Sequence, residues 1–148
     1  MIDLDALALP NAILIAPGVV SAGQPDAHGY ARAHSLGMRR VLNLRPASET
    51  PAFDSRATAE ASGLAYENLP IAGIGDLSRE NAAALDRWLA ENAGAPVLVH
   101  CGSGVRVCAL LALRAYWVQG APADEALAIA ARAGTTPILG ALRQLMQD

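Results

Sequence analysis

Short apolar runs alternate with amphipathic stretches along the whole chain, and the alternation predicts strands followed by helices. Residues 12–22, Ala-Ile-Leu-Ile-Ala-Pro-Gly-Val-Val-Ser-Ala, read as two short strands about a Pro17-Gly18 turn. Gly23-Gln24-Pro25 leads into a helix over about 26–36, stopped at Gly37. Residues 40–44 form a short strand, 46–55 a polar loop and 55–62 a helix ended by Gly63. A further strand covers 65–71, with Pro70 at its exit. Residues 72–77 make a Gly-rich loop holding Asp76.

Ser78 is an N-cap, with Glu80 in the first turn of a helix over about 79–92. Ala82, Leu85, Trp88 and Leu89 fall on one face of that helix. Residues 96–100, Pro-Val-Leu-Val-His, have the continuous apolar character of a buried parallel strand. The helix that runs to about Gln119 is apolar nearly all round and belongs in the middle of a domain. Pro122, Asp124 and Glu125 open another helix, capped by Gly134. Thr136 and Pro137 open the last, with Leu139, Leu142, Leu145 and Met146 as its buried stripe. This order predicts an α/β fold in one domain, 1–148, with a central, mostly parallel sheet flanked by helices.

Composition narrows the function classes. Apolar residues make up 53% of the 148, with one Phe, two Trp and three Tyr, so Ala, Leu, Val and Ile must build the core. All 11 strong bases are Arg, the net charge is −3, and no basic stripe is present to track nucleic acid. The N-terminus opens with two acids and no basic region, unlike a signal peptide. Arg106 and Arg114 interrupt the most apolar later stretch, which excludes a simple membrane span. Two cysteines without an export signal point to a reducing cytoplasm and no disulfide framework. No Cys/His spacing suggests a metal site, and no Gly-rich nucleotide fingerprint follows a strand, so no cofactor is expected. The oligomeric state leaves no signal.

Chemistry concentrates at Cys101-Gly102-Ser103-Gly104-Val105-Arg106. A buried strand delivers the cysteine, two glycines permit a tight turn, and an arginine follows as the long helix begins. The turn and the helix start can aim the N–H groups of Gly102, Ser103, Gly104, Val105 and Arg106 at an anion. Arg106 adds a guanidinium fork for two anion oxygens. The same field favours a thiolate at Cys101. A cysteine after a Val-rich strand is by itself a small buried hydrophobe; the Gly-x-Gly and the spaced arginine turn the reading toward a nucleophile that transfers phosphoryl or sulfur groups. Cys108, inside the apolar helix, reads as a core residue, with a resolving thiol as the alternative.

These residues resemble a known family. Ser21-Ala22-Gly23-Gln24-Pro25, then Val41-Leu42-Asn43-Leu44-Arg45-Pro46 with Glu49, then His100-Cys101-Gly102-Ser103-Gly104-Val105-Arg106 are similar in order and spacing to the bacterial phosphatase-like domain found with β-lactamase-fold hydrolases. That domain belongs to the wider cysteine-phosphatase superfamily. The resemblance implies a phosphatase-like fold, Cys101 as nucleophile and Arg106 as anion clamp. Two departures stand out: four residues separate Cys101 from Arg106 where the superfamily has five, and Val107 replaces the usual Ser or Thr. The shorter loop has the length found in rhodanese-type sulfurtransferases.

Supporting roles follow. Asp76, 25 residues before Cys101, is the leading general-acid candidate, with helix capping as its alternative; Asp54 and Glu49 are the runners-up. His100 should face away from Cys101 and orient the loop by bonding backbone. Arg45 either widens the anion site or pairs with Glu49, and Gln24 braces the loop. His28 and His34 read as solvated. Three functions remain open: a cysteine-dependent phosphatase acting on a small oxyanion-bearing substrate or a phosphoprotein, a sulfurtransferase working through a Cys101 persulfide, and a non-catalytic anion-binding domain.

Overall fold

A computed structural model describes residues 2–49, 51–134 and 136–147. Five strands form one sheet: β1 (Ile13–Ala16), β2 (Val19–Ala22), β3 (Arg40–Asn43), β4 (Ala65–Asn68) and β5 (Val97–His100), in the spatial order β1-β2-β5-β3-β4. β1 is antiparallel to β2, joined by the Pro17-Gly18 turn, and every other pairing is parallel. This is the mostly parallel, mixed sheet that the alternation predicts.

The register decides where chemistry can occur. Ala22 on β2 and Asn43 on β3 both stand opposite His100 on central β5. The three strands therefore end level. Gly23-Gln24, Leu44-Arg45 and Cys101 emerge side by side at the carboxyl edge of the sheet, where open α/β sheets carry their sites.

Side chains alternate between two cores, as the pleat requires. Leu42, Val97, Val99 and Cys101 face one core, with α4 (Arg79–Glu91), α5 (Val105–Trp117), α6 (Ala123–Ala131) and α7 (Thr136–Gln147). Val20, Ala22, Val41 and Leu98 face the other, with α1 (Leu4–Leu7), α2 (Gly29–Ser35) and α3 (Ser55–Ala61). α5 is the central helix: every residue from Val107 to Leu113 is buried. Its all-round apolar surface is thus matched by neighbours on all sides.

The expected elements shift in places for identifiable reasons. The helix expected over 26–36 begins at Gly29, because Asp26 Oδ1 accepts the His28 N–H in a preceding turn. The strand expected over 65–71 ends at Asn68; Leu69 and Ile71 still donate to Asn43 and Leu44, while Pro70 has no N–H to give. α1 was not foreseen; its single turn is capped by the Asp3 carboxylate, which accepts from Asp5 and Ala6. In α7, Leu142 and Met146 are buried, with Leu139 and Leu145 packed at the margin. Among the described residues, no helix is long and apolar enough to cross a membrane.

Candidate active site

Cys101 leaves β5 fully buried, and its sulfur accepts the Gly104 N–H at 3.1 Å. Gly104, the N-cap of α5, has φ +94°, a left-handed conformation that a glycine takes without a Cβ penalty. The turn at Gly104 folds the chain back over the sulfur it bonds. Cys108 donates the first intrahelical bond, to Gly104. The N–H groups of Val105, Arg106 and Val107 are therefore free of intrahelical partners.

The carbonyls of the loop are all spoken for. The Gly102 carbonyl accepts the Gln24 N–H at 3.0 Å, that of Ser103 accepts Asn11 Nδ2 at 3.0 Å, and that of Gly104 accepts Cys108 at 3.2 Å. His100 Nδ1 lies 3.4 Å from the Cys101 carbonyl. A trans peptide sets its N–H opposite its carbonyl, and with the Ser103 oxygen held by Asn11 the Gly104 N–H is turned onto the Cys101 sulfur. Gly23 permits the close packing: a Cβ there would stand 2.7 Å from the Gly102 carbonyl oxygen.

His100 is buried and neutral. Desolvation lowers its pKa from 6.5 to about 3. A carbonyl only accepts, so Nδ1 carries the proton, and Nε2 accepts from Tyr30 Oη at 2.8 Å. Burial raises the Tyr30 pKa, which keeps the phenol protonated for that bond. Gln24 Nε2 donates to Tyr30 Oη at 3.4 Å, and Gln24 Oε1 accepts from Arg45 at 2.7 Å. A directed chain thus runs from Arg45 through Gln24, Tyr30 and His100 to the Cys101 backbone. His100 thus contacts the Cys101 backbone, and Gln24 bonds both Arg45 and, through its N–H, the Gly102 carbonyl. Tyr30 was missed, because nothing local in 26–36 distinguishes a buried tyrosine that reaches β5.

Arg106 lies across the loop, with Nη2 3.2 Å from where a Gly102 Cβ would be. Its fork bonds both Glu49 oxygens, at 2.9 and 2.8 Å, and Nη1 also donates to the Ile71 carbonyl at 2.8 Å. Those bonds leave Nε–H and one Nη2–H for a ligand. The Glu49 hydrogen bond, with smaller help from the Cys101 sulfur, raises the Arg106 pKa; the guanidinium stays charged. Arg106 in turn lowers the Glu49 pKa, so Glu49 is a carboxylate with no proton to give as an acid. Arg45 Nε also reaches Glu49, at 3.5 Å, which favours the pairing role for Arg45.

The other acids separate by contact. Asp54 caps α3 by accepting the Ala57 N–H. Ser78, not Asp76, caps α4 by accepting the Asn81 N–H. Asp76 instead accepts the Ala72 N–H at 2.8 Å, within the loop that starts at the Arg106-bound Ile71. In this structure its carboxylate is turned toward that loop and forms no ion pair among the described residues. Cys108 is fully buried 3.6 Å from Ser21 Oγ, and burial raises its pKa, so it remains a thiol. His28 is exposed and His34 half-buried. A cavity of about 520 Å³, lined in part by Arg45, Glu49, Phe53 and Tyr66, opens beside the Arg106–Glu49 pair. A larger one, about 670 Å³, lies at the opposite end of the sheet around Pro17-Gly18 and Asn92–Pro96, away from all of this chemistry. Among the described residues, no group of three His, Cys, Asp or Glu could hold a metal ion.

A cysteine at a central strand end, a Gly-rich loop whose Gly104 N–H meets its sulfur and a helix-start arginine sit on a phosphatase-like α/β fold. The model of the phosphatase-like domain of beta-lactamase hydrolase-like proteins matches residues 12–117, and the chain belongs to that family. A beta-lactamase hydrolase-like protein of Xylella fastidiosa is 35% identical over 96 residues, 62% of this chain but 22% of that protein. The chain therefore matches only about a fifth of that relative's length. A DUF442 protein of known structure from Shewanella putrefaciens superposes with a TM-score of 0.76 at 22% identity, covering 97% of this chain and 96% of the other. TpbA of P. aeruginosa, a cysteine-to-serine variant in complex with pTyr, gives a TM-score of 0.61 at 18% identity, over 100% and 94% of the two chains. The expected phosphatase-like fold is thus the observed one.

The buried neutral His100 has a measurable consequence. Its folded pKa lies below the unfolded value, so its contribution to stability is full above pH 6.5 and is lost as pH falls toward about 3. Wild type should lose about 1.4 kcal/mol per pH unit of stability relative to His100→Asn across that window. Urea unfolding at pH 6.5, 5.5 and 4.5 measures it. A wild-type-to-variant difference that does not change with pH would mean that His100 binds a proton in the native state.

Proposed function

We propose that this chain is a cysteine-dependent phosphatase that hydrolyses phosphate monoesters. The observation that carries the reading is the loop itself: carbonyls held by Gln24, Asn11 and Cys108, the Gly104 N–H on the Cys101 sulfur, and Arg106 lying across it. That arrangement suits the three equatorial oxygens of a phosphoryl group in transfer. The Cys101 thiolate attacks phosphorus in line, and the P–O bond to the leaving oxygen breaks. The leaving oxygen takes a proton from Asp76. Water then attacks the phosphocysteine, gives a proton back to Asp76, and releases phosphate and the thiolate.

Glu49 bonds both terminal nitrogens of the Arg106 fork; Val107, buried and apolar, offers the sulfur no hydroxyl, and the Gly104 N–H is a donor that it receives. The TpbA complex with pTyr supports an aryl phosphate, as on a phosphoprotein, as the substrate class. The cavity beside Glu49 offers room for the leaving group. The composition favours work in a reducing cytoplasm, where Cys101 stays out of disulfides. The second reading, sulfur transfer through a Cys101 persulfide, is favoured by one observation, the four-residue spacing between Cys101 and Arg106.

The deciding experiment compares hydrolysis of para-nitrophenyl phosphate with thiosulfate-to-cyanide sulfur transfer, in wild type and Cys101→Ser. Phosphate release that vanishes in the variant, with no thiocyanate formed, is expected. Cys101-dependent thiocyanate without phosphate release would replace this reading by sulfur transfer, and oxyanion binding without either turnover would leave a binding domain.

The role of Asp76 is separable. Asp76→Asn should slow alkyl phosphates, whose leaving oxygens need a proton, by about a hundredfold or more, and para-nitrophenyl phosphate far less. An equal loss on both esters would reduce Asp76 to an anchor of the 72–77 loop.

A further inference from the structure

We propose that Asn11 is a positioning residue for the nucleophile, acting through the Ser103–Gly104 peptide; this rests on reading the Cys101–Arg106 loop as an oxyanion site. Asn11 Nδ2 donates to the Ser103 carbonyl at 3.0 Å. The N–H of that same peptide unit, on Gly104, donates to Cys101 Sγ at 3.1 Å. A peptide group is planar, so a donor that fixes its oxygen also aims its hydrogen. The Asn11 amide therefore sets the direction of the bond that the sulfur receives, from 92 residues away in the chain.

Hydrogen bonds to Asn11 and to the Cys101 sulfur hold this peptide at its two edges. It ends on Gly104, where no Cβ resists rotation. A cavity of about 250 Å³, lined by Asn11, Ile13, Ser103, Gly104 and Arg132 among others, leaves room behind it. The segment that carries Asn11 is anchored where it is needed: the neighbouring Pro10 carbonyl accepts the Gly23 N–H at 2.8 Å, beside the Gly102 contact. Asn11 itself has φ +53°, a left-handed conformation that asparagine tolerates better than most residues. Without the amide, the Ser103 carbonyl can swing toward the sulfur and toward any bound oxyanion, which it repels.

Two variants test this. Asn11→Gly keeps the backbone conformation and removes the amide; Asn11→Asp keeps the shape and sets an acceptor against the carbonyl. In each, iodoacetamide alkylation of Cys101 is followed against pH by mass spectrometry, with Cys108 as internal reference, with and without inorganic phosphate. The thermal midpoint is measured in parallel. In Asn11→Gly the alkylation profile should move to higher pH, and the phosphate concentration for half-protection should rise about fivefold, the scale of one hydrogen bond. Asn11→Asp should exceed both effects. A lowered thermal midpoint with profile and protection unchanged would make Asn11 merely structural and overturn the proposal. Wild-type protein that phosphate does not protect would overturn the oxyanion reading itself, a result distinct from protected wild type matched by both variants.

Discussion

The peptide carbonyls from Cys101 to Gly104 are each held by a donor outside the anion side of the loop, and the site depends on that constraint. Adjacent N–H groups aimed at one point repel one another, and a free loop would relieve the strain by turning some of its peptides over. Gln24, Asn11, His100 and the first turn of α5 hold the oxygens instead. The orienting work is done during folding rather than at the moment of reaction, which is how fixed dipoles become useful to a developing charge. Level strand ends make it achievable, because β2, β3 and β5 deliver their following residues to one edge.

Around the loop, Arg106 and Glu49 hold each other charged, and burial keeps His100 and Tyr30 neutral. Arg106 and Arg45 share the Glu49 carboxylate, and Arg45 continues through Gln24 and Tyr30 to a neutral His100. These contacts join the Gly-Gln-Pro turn, the Arg45 strand end and the Cys101 loop into one hydrogen-bonded unit. The three segments that resemble the family are therefore interdependent, although each sits on a different strand. The loop, one residue shorter than the superfamily pattern and followed by Val107, still supplies its sulfur with a donor, from Gly104.

Much of this was legible in the sequence. The Val97–His100 run, the Gly-x-Gly turn and the apolar α5 announce a buried strand, a tight loop and a central helix, because periodicity and glycine placement are local properties. The opposite facing of His100 and Cys101 followed from the pleat alone: Cys101 joins one core, while His100 meets Tyr30 on the other side. Two residues behind the loop, Asn11 as a direct donor and Tyr30 acting through His100, were not legible. Asn11 and Tyr30 lie 92 and 71 residues from Ser103 and Cys101 in the chain, and no spacing rule links an amide or a phenol to a carbonyl that distant. The bidentate pairing of Glu49 with Arg106 was hidden for the same reason, and α1, a single capped turn, is too short to show a period.

The central claim is that the 101–106 loop is an oxyanion nest built in advance of its ligand. A crystal structure of the wild-type protein with tungstate tests it most directly. The account predicts the ion over Cys101 Sγ, its oxygens within hydrogen-bond distance of the N–H groups of 102–106 and of Arg106, with the four carbonyls still bound to their present donors. Tungstate bound elsewhere, or a loop whose carbonyls turn toward Cys101, would contradict it.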